Sequence, residues 1–260
     1  MYHSSRMDRT AYDRFFELEQ RHFWRIAKRR LVTDWLERYG PEPGGLRLLD
    51  IGGAASLIPV ELKRWGPVLV LEADAETAGF ARERLGLDVR TGVFPQDMPS
   101  GGPFDVITMC DVLEHIEDDS ASLRAARELL RPGGLLLCTV PALSWLWSDH
   151  DRALHHFRRY TRPELVGRFE QADLEVVRAS YYTSLLLPAL ALQRLAGRLK
   201  AHRPPGRAAE YDVKTPPRLL NGFCSAVMAL ERRMLVGMDC WLGSSLIAAA
   251  RRPEPARRPG

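Results

Sequence analysis

At 260 residues with 45% apolar side chains, the chain suffices for one large domain, or one domain with an elaboration, around a sizeable core. The net charge of +4 is a mild basic excess, carried by Arg21 to Arg30, Arg158-Arg159 and Arg251 to Arg258. Such runs suit solvated faces, an anionic membrane surface or a phosphorylated substrate, and no aromatic-and-basic stripe points to nucleic acid.

The four cysteines, Cys110, Cys138, Cys224 and Cys240, lack metal-ligand and redox-pair spacing, so inert reduced thiols are expected. Met1 to Arg9 is polar and charged, unlike a secretory leader. The longest apolar candidate, Leu185 to Leu195, is interrupted by Pro188 and Arg194 and is too short to span a bilayer. A cytoplasmic protein is expected.

Phe15, Phe16, Leu18, Phe23, Trp24, Ile26, Ala27, Leu31 and Trp35 recur at helical spacing, predicting one helix from Tyr12 to Tyr39. Pro41 to Gly45 breaks it. A βαβ rhythm follows: strand Leu46–Ile51, helix Ile58–Trp65, strand Val68–Glu72, helix Ala75–Leu85, strand Asp88–Thr91. Phe104–Cys110 is a fourth strand, Ser120–Leu130 a helix capped by Ser120, and Leu135–Val140 a fifth strand. Near-continuous apolar strands imply a sheet covered on both faces. Helix Arg162–Gln171 and strand Leu174–Tyr182 continue the alternation, which argues for a doubly wound, mostly parallel α/β sheet. Thr183–Leu199 and Leu219–Met238 read as amphipathic helices joined by a Pro/Arg-rich loop. Ser244–Ala250 reads as a last strand, and residues 251–260 as a disordered tail.

The segment Leu48-Leu49-Asp50-Ile51-Gly52-Gly53-Ala54-Ala55-Ser56 is a buried strand entering a turn of small residues, and Val68 to Glu72 is a second strand ending in a carboxylate. Small residues let the backbone approach a ligand, and a carboxylate at the neighbouring strand tip accepts from a ribose diol. An ordinary strand-to-helix turn would also fit these two segments alone.

Further on stand Phe104-Asp105-Val106-Ile107, Asp111-Val112-Leu113-Glu114-His115 and Leu130-Arg131-Pro132-Gly133-Gly134-Leu135. With these in order, residues 46–182 resemble the class I S-adenosylmethionine-dependent methyltransferases, in particular the type 11 small-molecule branch. His22-Phe23-Trp24 and His150-Asp151…His156-Phe157-Arg158-Arg159-Tyr160-Thr161 narrow the resemblance to a bacterial subgroup associated with polysaccharide and lipid-linked glycan contexts. It implies a Rossmann-like, seven-stranded fold divided into an N-terminal helical cap (1–45), a cofactor-binding core (46–182), a helical insertion (183–243), and a last strand with a basic tail (244–260).

The resemblance implies S-adenosylmethionine bound by Asp50, Gly52, Gly53, Ala54, Glu72, Ala73, Val93, Cys110 and Asp111. The chain departs from the family where Ala54 and Ser56 replace turn glycines and Val93 replaces an adenine-contacting acid. Methyl transfer is a displacement on a sulfonium, so in-line positioning and dryness come first, and a base is needed for a protonated acceptor. His156 is the preferred base, with His115 and His150 as the other histidines and Asp111 as a further catalytic candidate. Each also reads as a structural residue. Arg158 and Arg159 read as a substrate clamp or as solvated charges.

No metal ligand set is expected. The acceptor is a small molecule, sugar or lipid-linked glycan, methylated at oxygen. Leu185, Leu186, Leu187, Leu190 and Leu192, flanked by Arg194, Arg198, Lys200 and Arg203, suit peripheral contact with the inner face of a membrane, a lid or a homodimer surface. The alternative classes are a catalytically weak cofactor-binding scaffold serving a partner, and a nicotinamide oxidoreductase. The latter is disfavoured by the residues 111–115 and by the lack of a Tyr/Lys pair at helical spacing.

Overall fold

The computed structural model describes residues 16–199 and 215–255, with the backbone alone for 195–199. The predicted joining loop at 202–217 lies mostly outside these residues.

Seven strands form one sheet: β1 (Leu48–Ile51), β2 (Val68–Glu72), β3 (Asp88–Thr91), β4 (Phe104–Cys110), β5 (Leu130–Pro141), β6 (Glu175–Tyr182) and β7 (Ser245–Arg251). Their order is β3-β2-β1-β4-β5-β7-β6. Strands β1 to β5 run parallel, while β7 is antiparallel to both β5 and β6. The chain reverses its direction of winding at β1 and β4, and in such sheets ligands bind at the carboxyl ends beside that switch.

Both faces of the sheet are buried, as the apolar strands require. Leu49, Ile51, Ile107, Met109, Leu136 and Cys138 join one core, and the alternate residues Leu48, Val106, Leu135 and Leu137 join the other. Period-two alternation therefore feeds two cores from the same strands. The first core is covered by α4 (Asp119–Leu129) and α6 (Arg162–Gln171), which bury Leu123, Ala126, Leu165 and Phe169, with the short α5 (Asp149–Ala153) between them in the chain. The second is covered by α1 (Phe23–Tyr39), α2 (Ile58–Leu62) and α3 (Ala75–Leu85), through Val32, Leu36, Ile58, Leu62, Ala78 and Ala81.

The local signals explain most helix ends. Asp74 accepts from Thr77 N at 2.8 Å to open α3, and Gly86, at φ 59°, closes it in the left-handed conformation glycine tolerates. Thr161 and Glu164 form a capping box on α6, with Pro163 in its first turn.

Four expectations need correction. The first helix is interrupted at His22, whose extended backbone and ring nitrogen cap a new helix from Phe23. The cap of α4 is Asp118, which accepts from Ala121 N at 2.9 Å, whereas Ser120 lies inside the helix. The second helix ends at Leu62, short of Trp65. Arg251 belongs to β7 rather than to the tail, and Arg252 continues the pairing, with its amide donating to Gly134 O at 3.0 Å. The last five residues lie outside the described part.

Helices α7 (Leu187–Leu199) and α8 (Arg218–Leu235) occupy the predicted insertion between β6 and β7. Helix α8 packs on α1, where Arg232 Nη1 holds both oxygens of Asp34 at 2.9 Å, and Asn221 accepts from Phe23 N at 3.1 Å.

Candidate active site

Parallel pairing brings the sequence-selected residues to one edge. Ile51 is in register with Leu71 and with Met109, so Gly52, Glu72 and Cys110 follow at the carboxyl ends of three adjacent strands. Gly52 stands at φ 73°, and its amide donates to Leu71 O at 2.8 Å, bending the chain away from β1. A Cβ on Gly53 would lie 1.6 Å from Asp50 Oδ2, so this position also requires glycine. Ala54 and Ser56 both keep ordinary negative φ, and Ser56 Oγ accepts from Ile58 N at 3.1 Å. The two departures from the family turn therefore fall where a side chain is tolerated.

Asp50 is buried at the end of β1. Thr108 donates to its Oδ1, while Oδ2 has no partner. Burial pushes its carboxyl up to about 7, helped by the charge of Glu72. Glu72 is aimed by backbone amides, accepting from Asp74 N at 3.1 Å and from Ala54 and Ala73; burial still raises its carboxyl above the ordinary value. An orphaned carboxylate oxygen, a side-chain-free cradle and a carboxylate at the second strand tip fit the amino acid and ribose ends of S-adenosylmethionine. Val93 offers no carboxylate, and its amide donates to Asp97 Oδ2 at 2.8 Å.

Lys28, buried in α1, places Nζ 2.7 Å from Asp111 Oδ2 and 4.7 Å from the centroid of the Trp24 ring. Thr139 donates to the other oxygen at 2.9 Å. Burial opposes the charge on Asp111, but Lys28 prevails and holds its carboxyl below the ordinary value. Asp111, at φ 56°, is thus already paired with a cation. Glu19, on the segment preceding His22, accepts from Leu57 N at 3.2 Å, so the N-terminal helices close over the glycine turn. Burial raises the Cys110 thiol well above its ordinary value, as expected of an inert core thiol.

The other wall forms from the loops after β4 and β5. His115 and His156 meet edge to face, with ring centroids 4.6 Å apart. His156 Nδ1 lies 3.1 Å from Asp151 Oδ1. Asp151 is fully buried and accepts from Arg159 at 2.7 and 3.1 Å and from Ser148 N at 2.9 Å. Burial opposes its charge, yet these donors keep its carboxyl well below the ordinary value. An ionised carboxylate only accepts, so His156 Nδ1 carries the hydrogen of this bond and the ring is held in one orientation. Burial, reinforced by His156, pushes His115 down to about 4, so its imidazole is neutral at physiological pH. Glu114 is buried with Oε2 unpartnered, and burial followed by the charge of Asp111 raises its carboxyl well above the ordinary range.

The two arginines are paired within the protein. Arg159 is bound to Asp151 and to Ala142 O, and Arg158 to Asp119 at 2.7 Å and to Glu117 O at 2.6 Å. His150 stays near the site but outside the histidine contact, and burial and Arg194 lower it. Sequence reasoning missed Glu19 and Lys28, whose partners lie in distant segments, and passed over Asp151 and Glu114 within motifs it had quoted.

This sheet order with its carboxyl-edge site defines the class I S-adenosylmethionine-dependent methyltransferase fold. Residues 23–179 match the family described as a methyltransferase domain, and the chain belongs to that family. Among curated relatives, it is 31% identical over 156 residues to a ubiquinone biosynthesis O-methyltransferase of Dinoroseobacter shibae, covering 51% of this chain and 61% of that one. It is 32% identical over 153 residues to the enzyme of the same name from Cereibacter sphaeroides, covering 51% and 62%. The match thus spans about three fifths of the length of these relatives.

A solved complex of a methyltransferase activator and a methyltransferase from Haloferax volcanii superposes with a TM-score of 0.60 at 17% identity, over 96% of this chain and 97% of that one. A Haemonchus contortus phosphoethanolamine N-methyltransferase holding S-adenosylhomocysteine gives 0.54 at 14% identity, over 85% and 52%. These structural likenesses speak for the fold alone.

Proposed function

We propose that this protein transfers the methyl group of S-adenosylmethionine to a hydroxyl oxygen of a small acceptor. The carrying observation is the histidine pair on the loops after β4 and β5, with the His156 ring oriented through Nδ1 by Asp151. An amine acceptor can arrive deprotonated, whereas a hydroxyl needs a place for its proton, and this wall supplies one. The 31–32% identity to O-methyltransferases supports the same choice.

S-adenosylmethionine supplies an electrophilic methyl on a good leaving group. Asp50 and the Gly52-Gly53 turn hold the amino acid end, and Glu72 takes the ribose hydroxyls. Val93 borders the adenine beside an apolar slot, and Cys110 lines the end of β4. Asp111, neutralised by Lys28, sets the local charge without binding the sulfonium directly. Lys28, Trp24 and Glu19 exclude water from above. His156 receives the acceptor proton when the wall carries no ion, and neutral His115 keeps that imidazole in place.

The acceptor carries an apolar or lipidic part. Leu219 is 91% exposed, Phe223 64% and Trp241 88%, with Arg218 and Arg233 nearby in sequence. Apolar side chains bordered by cations suit a peripheral stay at an anionic membrane face, while no helix among the described residues is long and apolar enough to cross a membrane.

The test is calorimetry with S-adenosylhomocysteine, followed by transfer of labelled methyl into lysate fractions and mass identification of the product. A labelled methyl ether is the expected outcome. Failure to bind at millimolar concentration rejects the reading, and binding without transfer would favour a scaffold that serves a partner.

A further inference from the structure

Glu114, His115 and His156 each present one ligand-type atom, and these atoms lie within 4.8 Å of one another. Donors about 2.1 Å from a common ion stand roughly 3–4 Å apart, so a small closing movement would complete the set. We propose that these three residues hold a divalent first-row transition cation, and that the acceptor oxygen binds on its open side. This deepens the reading of the cleft as an O-methylation site and rests on it.

Three independent features support a ligand here. First, Glu114 Oε2 is buried without any hydrogen-bond partner. A buried oxygen left so is costly, and the neighbouring carboxylates of Asp111 and Asp151 are already matched by Lys28 and Arg159. Second, His156 is arranged as metal-binding histidines are: Nδ1 faces a fixed carboxylate, which orients the ring and leaves its other nitrogen for a ligand. The ring of His115 is likewise held by the backbone of Leu154. Third, the two contributing loops are fastened together by Phe157 N donating to Glu114 O at 2.8 Å, so the ligands stand on a braced frame.

The donor set selects the ion. One carboxylate oxygen and two imidazoles suit manganese, iron(II), cobalt or zinc, whereas magnesium and calcium favour all-oxygen shells. Three protein ligands leave positions open for an exchangeable oxygen. There the cation lowers the pKa of the acceptor hydroxyl, whose proton passes to water. The oxygen lone pair then forms the C–O bond while the methyl–sulfur bond breaks, its electron pair remaining on sulfur. The neutral ether is a poorer ligand and departs. In this state His156 is a ligand, and the proton acceptor is solvent.

The experiment uses the full chain, stripped with a chelator, and titrates Co2+ by visible absorbance, with Zn2+, Mn2+ and Mg2+ compared by equilibrium dialysis. The expected result is one transition ion per chain, micromolar or tighter, with magnesium at least tenfold weaker. Glu114→Gln and His156→Ala should each weaken it tenfold or more, and Glu114→Asp should retain part of the affinity. The exposed Glu128→Gln serves as control. Folding is monitored by circular dichroism, and the partial retention by Glu114→Asp keeps the test decisive if another variant unfolds. Absence of stoichiometric binding, or binding that the folded variants leave unchanged, overturns the metal site. S-adenosylhomocysteine calorimetry on the same samples separates the two readings: cofactor binding without metal overturns only this inference, and loss of cofactor binding in the wild type removes the reading beneath it.

Discussion

The two halves of the cleft are built on different principles. The cofactor half, at the ends of β1 and β2, uses backbone: Gly52 in the left-handed region, Gly53 where no Cβ fits, and amides that aim Glu72. The acceptor half, after β4 and β5, uses interlocked side chains: Lys28 with Asp111, Arg159 and His156 with Asp151, and His115 against His156. A backbone site tolerates drift in side chains that merely stay small. A buried charged network depends on its ion-pair members, because removing one strands the charge of its partner.

That contrast breaks most visibly at Asp151. Replacing it with Ala leaves Arg159 buried without its anion and frees the His156 ring; about 3–5 kcal/mol of stability should be lost in urea denaturation. A loss below about 1 kcal/mol would show that the network is not tightly coupled. His156→Ala should reduce methyl transfer by about 100-fold or more while S-adenosylhomocysteine affinity stays within about twofold. Equal loss of both would place His156 in the cofactor half.

On the other side, Glu72→Ala should lower S-adenosylhomocysteine affinity about tenfold or more, on the order of 1–3 kcal/mol, in a folded protein. Unchanged affinity would show that the ribose lies elsewhere. Asp50 gives a pH signature. Its carboxyl is raised from 3.8 to about 7 in the folded state, so the native protein binds the extra proton. The stability it contributes is complete below about pH 4 and is lost as pH rises through 7. Asp50→Asn should flatten this slope and make the cofactor-free protein about 1–2 kcal/mol more stable than wild type at pH 8. A parallel pH profile in the variant would assign the slope to another group. The smallest effect belongs to the turn: Ala54→Gly with Ser56→Gly should change S-adenosylhomocysteine affinity by less than about threefold. A tenfold gain would reveal the present residues as a defect.

The sequence revealed the backbone half better than the side-chain half for a physical reason. Strand periodicity, glycine-rich turns and caps are local, so the βαβ rhythm, Gly52, Glu72 and the last strand could be read directly. Lys28 owes its role to a partner in another element, meeting Asp111 across 83 positions. No local pattern marks such a pair. Arg158 and Arg159 read as a clamp or as solvated charges because charge runs usually face solvent, whereas Arg158 finds Asp119 on α4 and Arg159 finds Asp151 within its own loop. The turn departures fall at residues outside the left-handed region, where a side chain adds no backbone strain, a property the letters alone do not carry.

The position of β7 has a consequence for biosynthesis. It is made last of the strands, well after β6, yet it is inserted between β5 and β6 and hydrogen-bonded to both. Until it emerges from the ribosome, β5 carries an open edge and β6 has no neighbour in the sheet, although the first five strands can already assemble. The nascent chain therefore passes through a stage with an unpaired apolar edge, vulnerable to intermolecular strand pairing. The alanine-rich Ala248-Ala249-Ala250, small and fully buried in the finished sheet, lets the final strand slide in with little side-chain bulk to accommodate.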